Sequence, residues 1–228
     1  MVFRNRRDAG RQLGIALLPF RGEDLSVLAI PRGGVVVGAE VALVLGAPLD
    51  VIVPRKLRSP DNPELAVGAA AHDGTVSFDS SLGEELSGDP RYLEQEIRRQ
   101  MEEIARRMII YRGRGDYPAM EGRAVVVVDD GIATGSTMVA ATRAVRKMRP
   151  RRVIAAVPVA PAEGVRRMER EADAVVCLYV PTVFYAVGQF YEDFAQTTDD
   201  EVVMLLREAS SRTGLTPLEG YTSGDVGP

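Results

Sequence analysis

The sequence predicts an α/β fold with a parallel sheet of about five strands, flanked by helices. Short apolar segments alternate along the chain with longer segments whose apolar residues recur at helical spacing, which is typical of successive βαβ units. The run AVVVV at 124–128 lacks apolar–polar alternation, as expected for a central strand that is covered on both sides. No internal repeat or domain boundary is evident, so we expect one domain over residues 1–209 with right-handed crossovers.

The composition narrows the classes of function. The chain has 228 residues, of which 46% are apolar, and this is enough for one substantial core. The net charge of −4 and the lack of a long basic run argue against nucleic-acid binding. No apolar run approaches the ~20 residues that a membrane-spanning helix needs, so we expect a soluble, cytoplasmic protein without a membrane partner.

Cysteine and histidine each occur once, as Cys177 and His72. These two residues supply too little material for a zinc site or a Ser-His-Asp triad. Cys177 lies within an apolar run and is interpreted as a small core residue. His72 precedes Asp73-Gly74, a turn signal, and is interpreted as a solvated residue of that turn.

The first third of the chain contains two helices and two strands in this interpretation. Residues 4–18 have apolar positions at helical spacing and predict an amphipathic helix whose arginines form a solvated face. Residues 25–30 and 49–54 are short apolar strands. Between them, residues 35–45 predict a helix that Gly46 ends.

An exposed excursion and a long helix follow. Residues 55–64 contain three cations and two prolines, which predicts an exposed, partly mobile loop. Residues 66–71 and 75–78 flank the Asp-Gly turn and predict a two-stranded hairpin. Asp89-Pro90 then begins a helix to about residue 111, with an acid at the cap and proline at the first position.

The last third continues the alternation of strands and helices. Helices are predicted from Thr137 to about residue 150 and over 163–171, and strands over 153–159 and 174–179.

The segment that follows these strands is rich in aromatic residues. Six of the thirteen aromatic residues fall between Tyr179 and Phe194, where they either cap a substrate cleft or pack a C-terminal segment on the core. Thr198 to Glu201 fits a capping box that begins a final helix. Residues 210–228 are rich in Gly, Ser, Thr and Pro, which predicts a disordered tail.

The strand at 124–128 leads directly into two acids and a loop of small residues. Asp129 and Asp130 stand at the carboxyl end of the strand, where open α/β sheets bind their ligands. Gly131 and residues 133–137, ATGST, offer backbone amides and hydroxyl groups at the start of a helix, which suits a phosphate group. An ordinary βα turn would need only one or two such residues. The loop has no P-loop lysine, no G-x-G-x-x-G spacing and no D-x-D pair of phosphatase type.

A second loop has the same design. Pro31-Arg32-Gly33-Gly34 follows the strand at 25–30 and precedes a helix. Paired glycines let backbone amides approach an anion, and the Arg32 guanidinium adds donors suited to phosphate oxygens. A tight turn eased by glycine is the alternative for this loop alone.

Together these motifs resemble those of the type I phosphoribosyltransferases, and the resemblance extends over residues 1 to about 207. The strand, the two acids and the T-G-x-T-like loop resemble the signature that binds phosphoribosyl pyrophosphate (PRPP); Gly131 replaces a larger aliphatic residue. The resemblance implies that Asp129 and Asp130 hold the ribose hydroxyls, and that a loop wraps the 5-phosphate. The residues of that loop are Ala133, Thr134, Gly135, Ser136 and Thr137.

The resemblance also implies a pyrophosphate site, a lid and a hood. Arg32, Gly33 and Gly34 would bind pyrophosphate, while Arg55 and Lys56 would either contact it or be plain surface charges. The lid would be residues 55–78, and the C-terminal hood residues 179–207.

Members of this family displace pyrophosphate from C1 of PRPP with a nitrogen nucleophile. By resemblance, Asp129, Asp130 and Arg32 would be the catalytic residues, and Mg²⁺ would be the cofactor, held by the two acids directly or through water. Ala133 stands where hypoxanthine-type members carry an Asp, so the loop is locally closer to the adenine type, and the acceptor stays open. The partners would be PRPP, a small-molecule acceptor and a second copy in a homodimer. Two alternatives remain: a PRPP-sensing regulator without turnover, and a sugar-phosphate or nucleotide hydrolase.

Overall fold

Eight strands, six α-helices and two short 3₁₀ helices lie in the described part of the molecule, which in the computed structural model comprises residues 2–59, 66–78, 90–113, 117 and 119–213. The helices are α1 (Arg6–Ala16), α2 (Gly33–Leu45), α3 (Pro90–Arg112), α4 (Ser136–Lys147), α5 (Ala162–Glu169) and α6 (Asp199–Thr213). The strands are β1 (Leu25–Ala29), β2 (Leu49–Val51), β3 (Arg55–Arg58), β4 (Ala66–Ala70), β5 (Val76–Phe78), β6 (Ala124–Val128), β7 (Arg152–Val159) and β8 (Ala174–Tyr179).

Five of the strands form one parallel sheet in the order β2-β1-β6-β7-β8, so the predicted five-stranded parallel sheet is confirmed. The central strand β6 is buried along its whole length. Val126 and Val128 belong to the core formed with α1, α2, α3 and α6, whereas Val125 and Val127 belong to the core formed with α4 and α5. Both faces of the strand are therefore apolar, which explains the absence of alternation in its sequence.

The other three strands form a small antiparallel sheet in the order β3-β4-β5. The predicted hairpin of β4 and β5 is confirmed, with Ala70 opposite Val76. The expectation of an exposed loop from residue 55 onward is wrong for Arg55–Arg58, because this segment pairs with β4 as a third strand and Leu57 is buried. The small sheet packs against α3 and α4. Residues 60–64 of the predicted loop lie outside the described residues.

His72 occupies the predicted turn, but its side chain is half-buried, so the interpretation of it as a solvated residue is wrong in part. Its ring lies against Tyr117 with 4.1 Å between ring centroids, and its Nδ1 is buried without a hydrogen-bond partner among the described residues. Burial lowers the pKa of His72 below its ordinary value of 6.5. A propensity-based prediction finds the turn but not the surface on which the turn packs.

The N-terminal segment pairs with the hood. Phe3 forms a parallel bridge with Tyr191, and its N–H donates to the Phe190 carbonyl at 2.8 Å. These three rings are buried in one small cluster with Ala9 and Val159. The aromatic residues of the hood therefore serve in part to pack it onto the N-terminus and onto the sheet.

The final helix is longer than predicted. It continues to Thr213, so residues 210–213, expected in a disordered tail, are helical. The rest of that tail, residues 214–228, lies outside the described residues. Across the described part of the chain, no helix combines the length and the apolar character needed to cross a membrane.

Candidate functional site

The candidate site lies at the carboxyl ends of β1 and β6, two neighbouring strands of the parallel sheet. The two strands pair in register up to Ala29 opposite Val128, so they end at the same level. The residues that follow them, 31–34 after β1 and Asp129 and Asp130 after β6, consequently meet at one edge of the sheet. This is the position at which open α/β sheets bind ligands.

The glycines of the first loop lie directly against the two acids. A Cβ atom built on Gly34 would be 2.9 Å from the Cα atom of Asp129, and one on Gly33 would be 2.0 Å from Oδ2 of Asp130. Real Cβ atoms do not approach other atoms this closely. Gly34 faces backbone atoms and therefore requires glycine, whereas a Cβ atom on Gly33 would displace the ends of the Asp130 and Arg6 side chains from their present positions. The two predicted motifs therefore form one site.

Arg32 lies beside these glycines, at the N-cap position of α2. The peptide bond between Pro31 and Arg32 is cis, and the Arg32 carbonyl accepts the N–H of Val35 at 3.0 Å. Burial raises the pKa of Tyr111 to about 12, and the nearby charge of Arg32 opposes that rise. Because Arg32 is the N-cap residue of α2, its charge lies at the positive end of that helix, and both favour a bound anion.

Asp129 and Asp130 are adjacent, and the surroundings of Asp129 disfavour its ionised form. Burial raises the pKa of Asp129 well above its ordinary value, and the adjacent charge of Asp130 raises it further. The Asp129 carboxylate accepts the backbone N–H of Asp130 at 2.8 Å, and the charge of Lys56 also favours its ionised form. A cation or a hydroxyl donor placed between these side chains would stabilise their ionised forms.

Arg6, the first residue of α1, reaches into this site. Its Nε donates to Oδ2 of Asp130 at 2.7 Å, and its Nη1 donates to the Ala195 carbonyl at 2.7 Å. Its guanidinium carbon lies 3.8 Å from the ring centroid of Phe194. Only 11% of the Arg6 side chain is exposed. The expectation that the arginines of this helix form a solvated face is wrong for Arg6.

The loop after the acids leads into α4 through a left-handed glycine. Gly135, at the N-cap position of α4, has φ +84°, and its carbonyl accepts the N–H of Val139 at 2.9 Å. Arg167 of α5 donates to the Thr134 carbonyl at 3.1 Å and so holds the loop from outside. Because the first backbone amides of a helix have no intrahelical acceptor, this loop and the first turn of α4 suit a phosphate group.

The hood covers the same loop from the other side. A Cβ atom on Gly131 would be 2.6 Å from a methyl carbon of Val187 and 3.1 Å from one of Val159. Tyr191 donates its hydroxyl to the Asp130 carbonyl at 2.5 Å. A larger aliphatic residue at position 131 is therefore excluded by the close approach of the hood.

Comparison with known proteins agrees with this arrangement. Residues 15–195, most of the chain, match the phosphoribosyl transferase domain. The chain belongs to the phosphoribosyl transferase domain family. The five-stranded sheet and the hairpin are the type I phosphoribosyltransferase fold that the sequence predicts.

Relatives of this phosphoribosyl transferase domain include proteins of Mycobacterium tuberculosis strains H37Rv and CDC 1551, whose names give phosphoribosyl transfer only provisionally. Each is 45% identical over 208 residues, which is 91% of this chain and 47% of the relative. The chain thus spans about half the length of these curated relatives. The crystal structure of TT1426 from Thermus thermophilus is 46% identical, with a TM-score of 0.77, and covers 91% of this chain and 99% of that one.

Within this phosphoribosyl transferase domain, the predicted site residues fall into two groups. One group follows β1 and β6 at a single edge of the parallel sheet and consists of Arg32, Gly33, Gly34, Asp129, Asp130, Ala133, Thr134, Gly135, Ser136 and Thr137. Lys56, an exposed residue of β3 in the small sheet, is linked to this group by the effect of its charge on Asp129. Arg55 forms the other group, because its Nε donates to Gln100 of α3 at 3.1 Å. Burial and the nearby charge of Arg107 lower the pKa of Arg55. Arg55 thus faces α3, a helix to which the sequence assigned no chemistry.

The acids offer few ligands for a metal ion. Among the residues that the structure describes, no three His, Cys, Asp or Glu side chains are grouped so as to hold one. The adjacent carboxylates of Asp129 and Asp130 nevertheless fit Mg²⁺, which is commonly bound by one or two carboxylates, several waters and the phosphates of a substrate. Any Mg²⁺ here would therefore be shared with a phosphorylated ligand.

Three residues of the site were not predicted individually, although Tyr191 belongs to the aromatic cluster that the sequence shows between Tyr179 and Phe194. Arg6 of α1 and Tyr191 contact Asp130, and Arg167 of α5 contacts Thr134. The helical spacing of residues 4–18 identifies the helix but not the direction of an arginine in its first turn. Contacts across 124 and 61 residues, as for Arg6 and Tyr191 with Asp130, require the tertiary fold.

Proposed function

We propose that this domain transfers the 5-phosphoribosyl group of PRPP to a nitrogen nucleophile and releases pyrophosphate. The observation that carries the proposal is the close approach of Gly33 and Gly34 to Asp129 and Asp130. It unites an anion-binding loop with two acids beside a phosphate loop, as one donor with a pyrophosphate, a ribose and a 5-phosphate would require. Family membership supports the reaction class.

In this proposal each part of PRPP has its own partner. The 5-phosphate lies in residues 133–137 at the start of α4, and Asp129 and Asp130 accept hydrogen bonds from the ribose hydroxyls. Pyrophosphate lies against residues 32–34, and Lys56, whose charge acts on Asp129, faces it from β3. Arg55 would join only by turning away from its present partner on α3.

The reaction breaks the bond between C1 and the pyrophosphate oxygen and forms a bond between C1 and the acceptor nitrogen. Pyrophosphate leaves with the electron pair of the broken bond, and the nitrogen loses a proton to solvent or to a phosphate oxygen. The protein residues mainly position the donor and balance its charge. Mg²⁺, when bound with PRPP, would neutralise charge on the leaving group.

One double variant with a matched control tests the donor site. The double variant Asp129→Asn with Asp130→Asn should abolish binding of Mg²⁺–PRPP by calorimetry, because both ribose acceptors are weakened. Asp24→Asn serves as the control, since Asp24 is 68% exposed in an ion pair with Arg123 at the opposite end of the sheet. Unchanged affinity in the double variant would remove the donor site from the proposal.

One further assay identifies the acceptor and distinguishes phosphoribosyl transfer from hydrolysis and from PRPP sensing. Pyrophosphate release is measured with Mg²⁺ and PRPP, alone and with a panel of purines, pyrimidines and amines. Release that depends on an acceptor supports transfer, and release without one indicates a hydrolase. Binding without release indicates a PRPP-sensing regulator. The homodimer expected from the family stays a prediction, which light scattering would test.

A further inference from the structure

The N-terminal segment of the chain is built into the hood. The Phe3 N–H donates to the Phe190 carbonyl and the Glu192 N–H to the Phe3 carbonyl, both at 2.8 Å. The Asp193 N–H donates to the Arg4 carbonyl at 2.9 Å. These bonds fix the start of α1 relative to the hood without help from any charged side chain.

Arg6 begins α1 immediately after this pairing, and its guanidinium contacts three separate parts of the molecule. One donor binds Asp130 of the acid pair, another binds the Ala195 carbonyl of the hood, and the planar face lies over Phe194. Because a Cβ atom on Gly33 would be 2.6 Å from its Nε, Arg6 also lies against the predicted pyrophosphate loop. It joins the hood to both motifs of the donor site.

We infer that Arg6 is a positioning residue that holds the hood and the Asp130 carboxylate in the geometry that binds PRPP. The inference rests on the proposed function for its ligand. The N-terminal segment is accordingly part of the substrate-binding apparatus, and the solvated helix face begins only after Arg6. One Asp130 oxygen is engaged by the protein, so the carboxylate meets the ribose in a fixed orientation.

The geometry requires arginine and not simply a positive charge. The Nε and Nη1 groups point to different acceptors from one rigid plane, and that plane also stacks on an aromatic ring. A lysine ammonium has three donors but no planar group, so it cannot stack flat on the ring while it holds the two acceptors in the same fixed geometry. Arg6→Lys therefore separates positioning from charge balance.

The test compares Arg6→Gln and Arg6→Lys with Arg7→Gln. Arg7 is the matched control, because it neighbours Arg6 but pairs with Glu40 of α2, and 45% of its side chain is exposed. In both Arg6 variants we expect the Kd for Mg²⁺–PRPP to rise about tenfold to a hundredfold, the range for losing a hydrogen bond between charged groups. Arg7→Gln should leave the Kd unchanged.

A second measurement is independent of any ligand. Hydrogen exchange should become faster at the backbone amides of residues 184–195 in both Arg6 variants, while amides of β6 and β7 keep their protection. We expect both variants to stay folded, because the N-terminal segment pairs through backbone groups and not through the Arg6 side chain, and a thermal melt checks this.

The outcomes separate this inference from the proposed function. Wild-type protein that does not bind PRPP defeats the proposed function, and hydrogen exchange still decides the role of Arg6. Arg6→Lys with wild-type affinity and exchange would reduce Arg6 to a charge, and tighter PRPP binding in Arg6→Gln would make it a competitor of the ligand. Either result overturns the positioning role.

Discussion

Replacement of Gly33 by alanine is the most direct test of the contact between the glycine loop and the acids. An added Cβ atom would lie 2.0 Å from Oδ2 and 2.8 Å from Cγ of Asp130, and 2.6 Å from Nε of Arg6. The backbone of Gly33 is not left-handed, so the methyl group acts by sterics alone. Ordinary contact between carbon and another heavy atom is about 3.5 Å, so the carboxylate oxygen must move by roughly 1.5 Å.

The expected magnitude follows from this displacement. A shift of that size breaks the 2.7 Å bond between Arg6 and Asp130 and turns the carboxylate away from its present direction. Overpacking costs about 1–3 kcal/mol, and a hydrogen bond to a charged group contributes about 1.5–3 kcal/mol. We therefore expect Gly33→Ala to raise the Kd for Mg²⁺–PRPP about tenfold to a hundredfold, at about 1.4 kcal/mol per factor of ten.

Calorimetry with Mg²⁺–PRPP measures this effect, and Gly14→Ala is the matched control. A Cβ atom on Gly14 would be 2.8 Å from Cβ of Val44, where α1 packs on α2. This variant should lose stability to a similar degree through overpacking, yet keep its affinity for PRPP. A Gly33→Ala Kd within twofold of the wild-type value would refute the argument that the glycine loop must touch Asp130.

Three further predictions concern stability and pH. Arg112 and Asp50 form a buried ion pair with 3% and 11% of their side chains exposed, so Asp50→Asn should lower the free energy of unfolding by about 3–5 kcal/mol in a urea titration. The control Asp24→Asn, in an exposed ion pair, should lower it by less than about 1 kcal/mol. Because burial lowers the pKa of His72 below 6.5, its contribution to the free energy of unfolding is full above pH 6.5 and falls as the pH drops through the pKa of the folded protein. NMR titration of this single histidine should give a pKa below 6.5. A hydrogen bond from Arg106 is the main cause that lowers the pKa of Glu103 from 4.5 to about 2, so this pair stabilises the fold above pH 4.5 and loses its effect towards pH 2. Glu103→Gln should lower the free energy of unfolding above pH 4.5 by less than about 1 kcal/mol, because the pair is at the surface.

Some features of the fold and of the site could be predicted from the sequence, and others could not. The strand 124–128 is observed with the predicted bounds, because a run of valines with two apolar faces has few other stable environments. The alternation of strands and helices predicts the parallel sheet, because successive βαβ units place their strands side by side. That the two anion-type loops meet follows from the pairing of β1 with β6. Residues 55–58 were interpreted as a loop because their charges and the nearby prolines hide a strand that forms only by pairing with β4, and His72 was interpreted as solvated because its own segment does not show that Tyr117 packs on it.

The sequence by itself determined the properties that depend on neighbouring residues: the strands, the helix starts, the two glycine loops and the adjacent acids. Local conformational preference and apolar periodicity fix these elements over a few residues. Only the tertiary structure decided which distant side chains complete the site. Arg6 lies 124 residues before the acid that it contacts, and the direction of a side chain in the first turn of a helix is set by how that helix docks. Gly131 likewise has its reason in Val187 of the hood, a contact that exists only once the chain has folded.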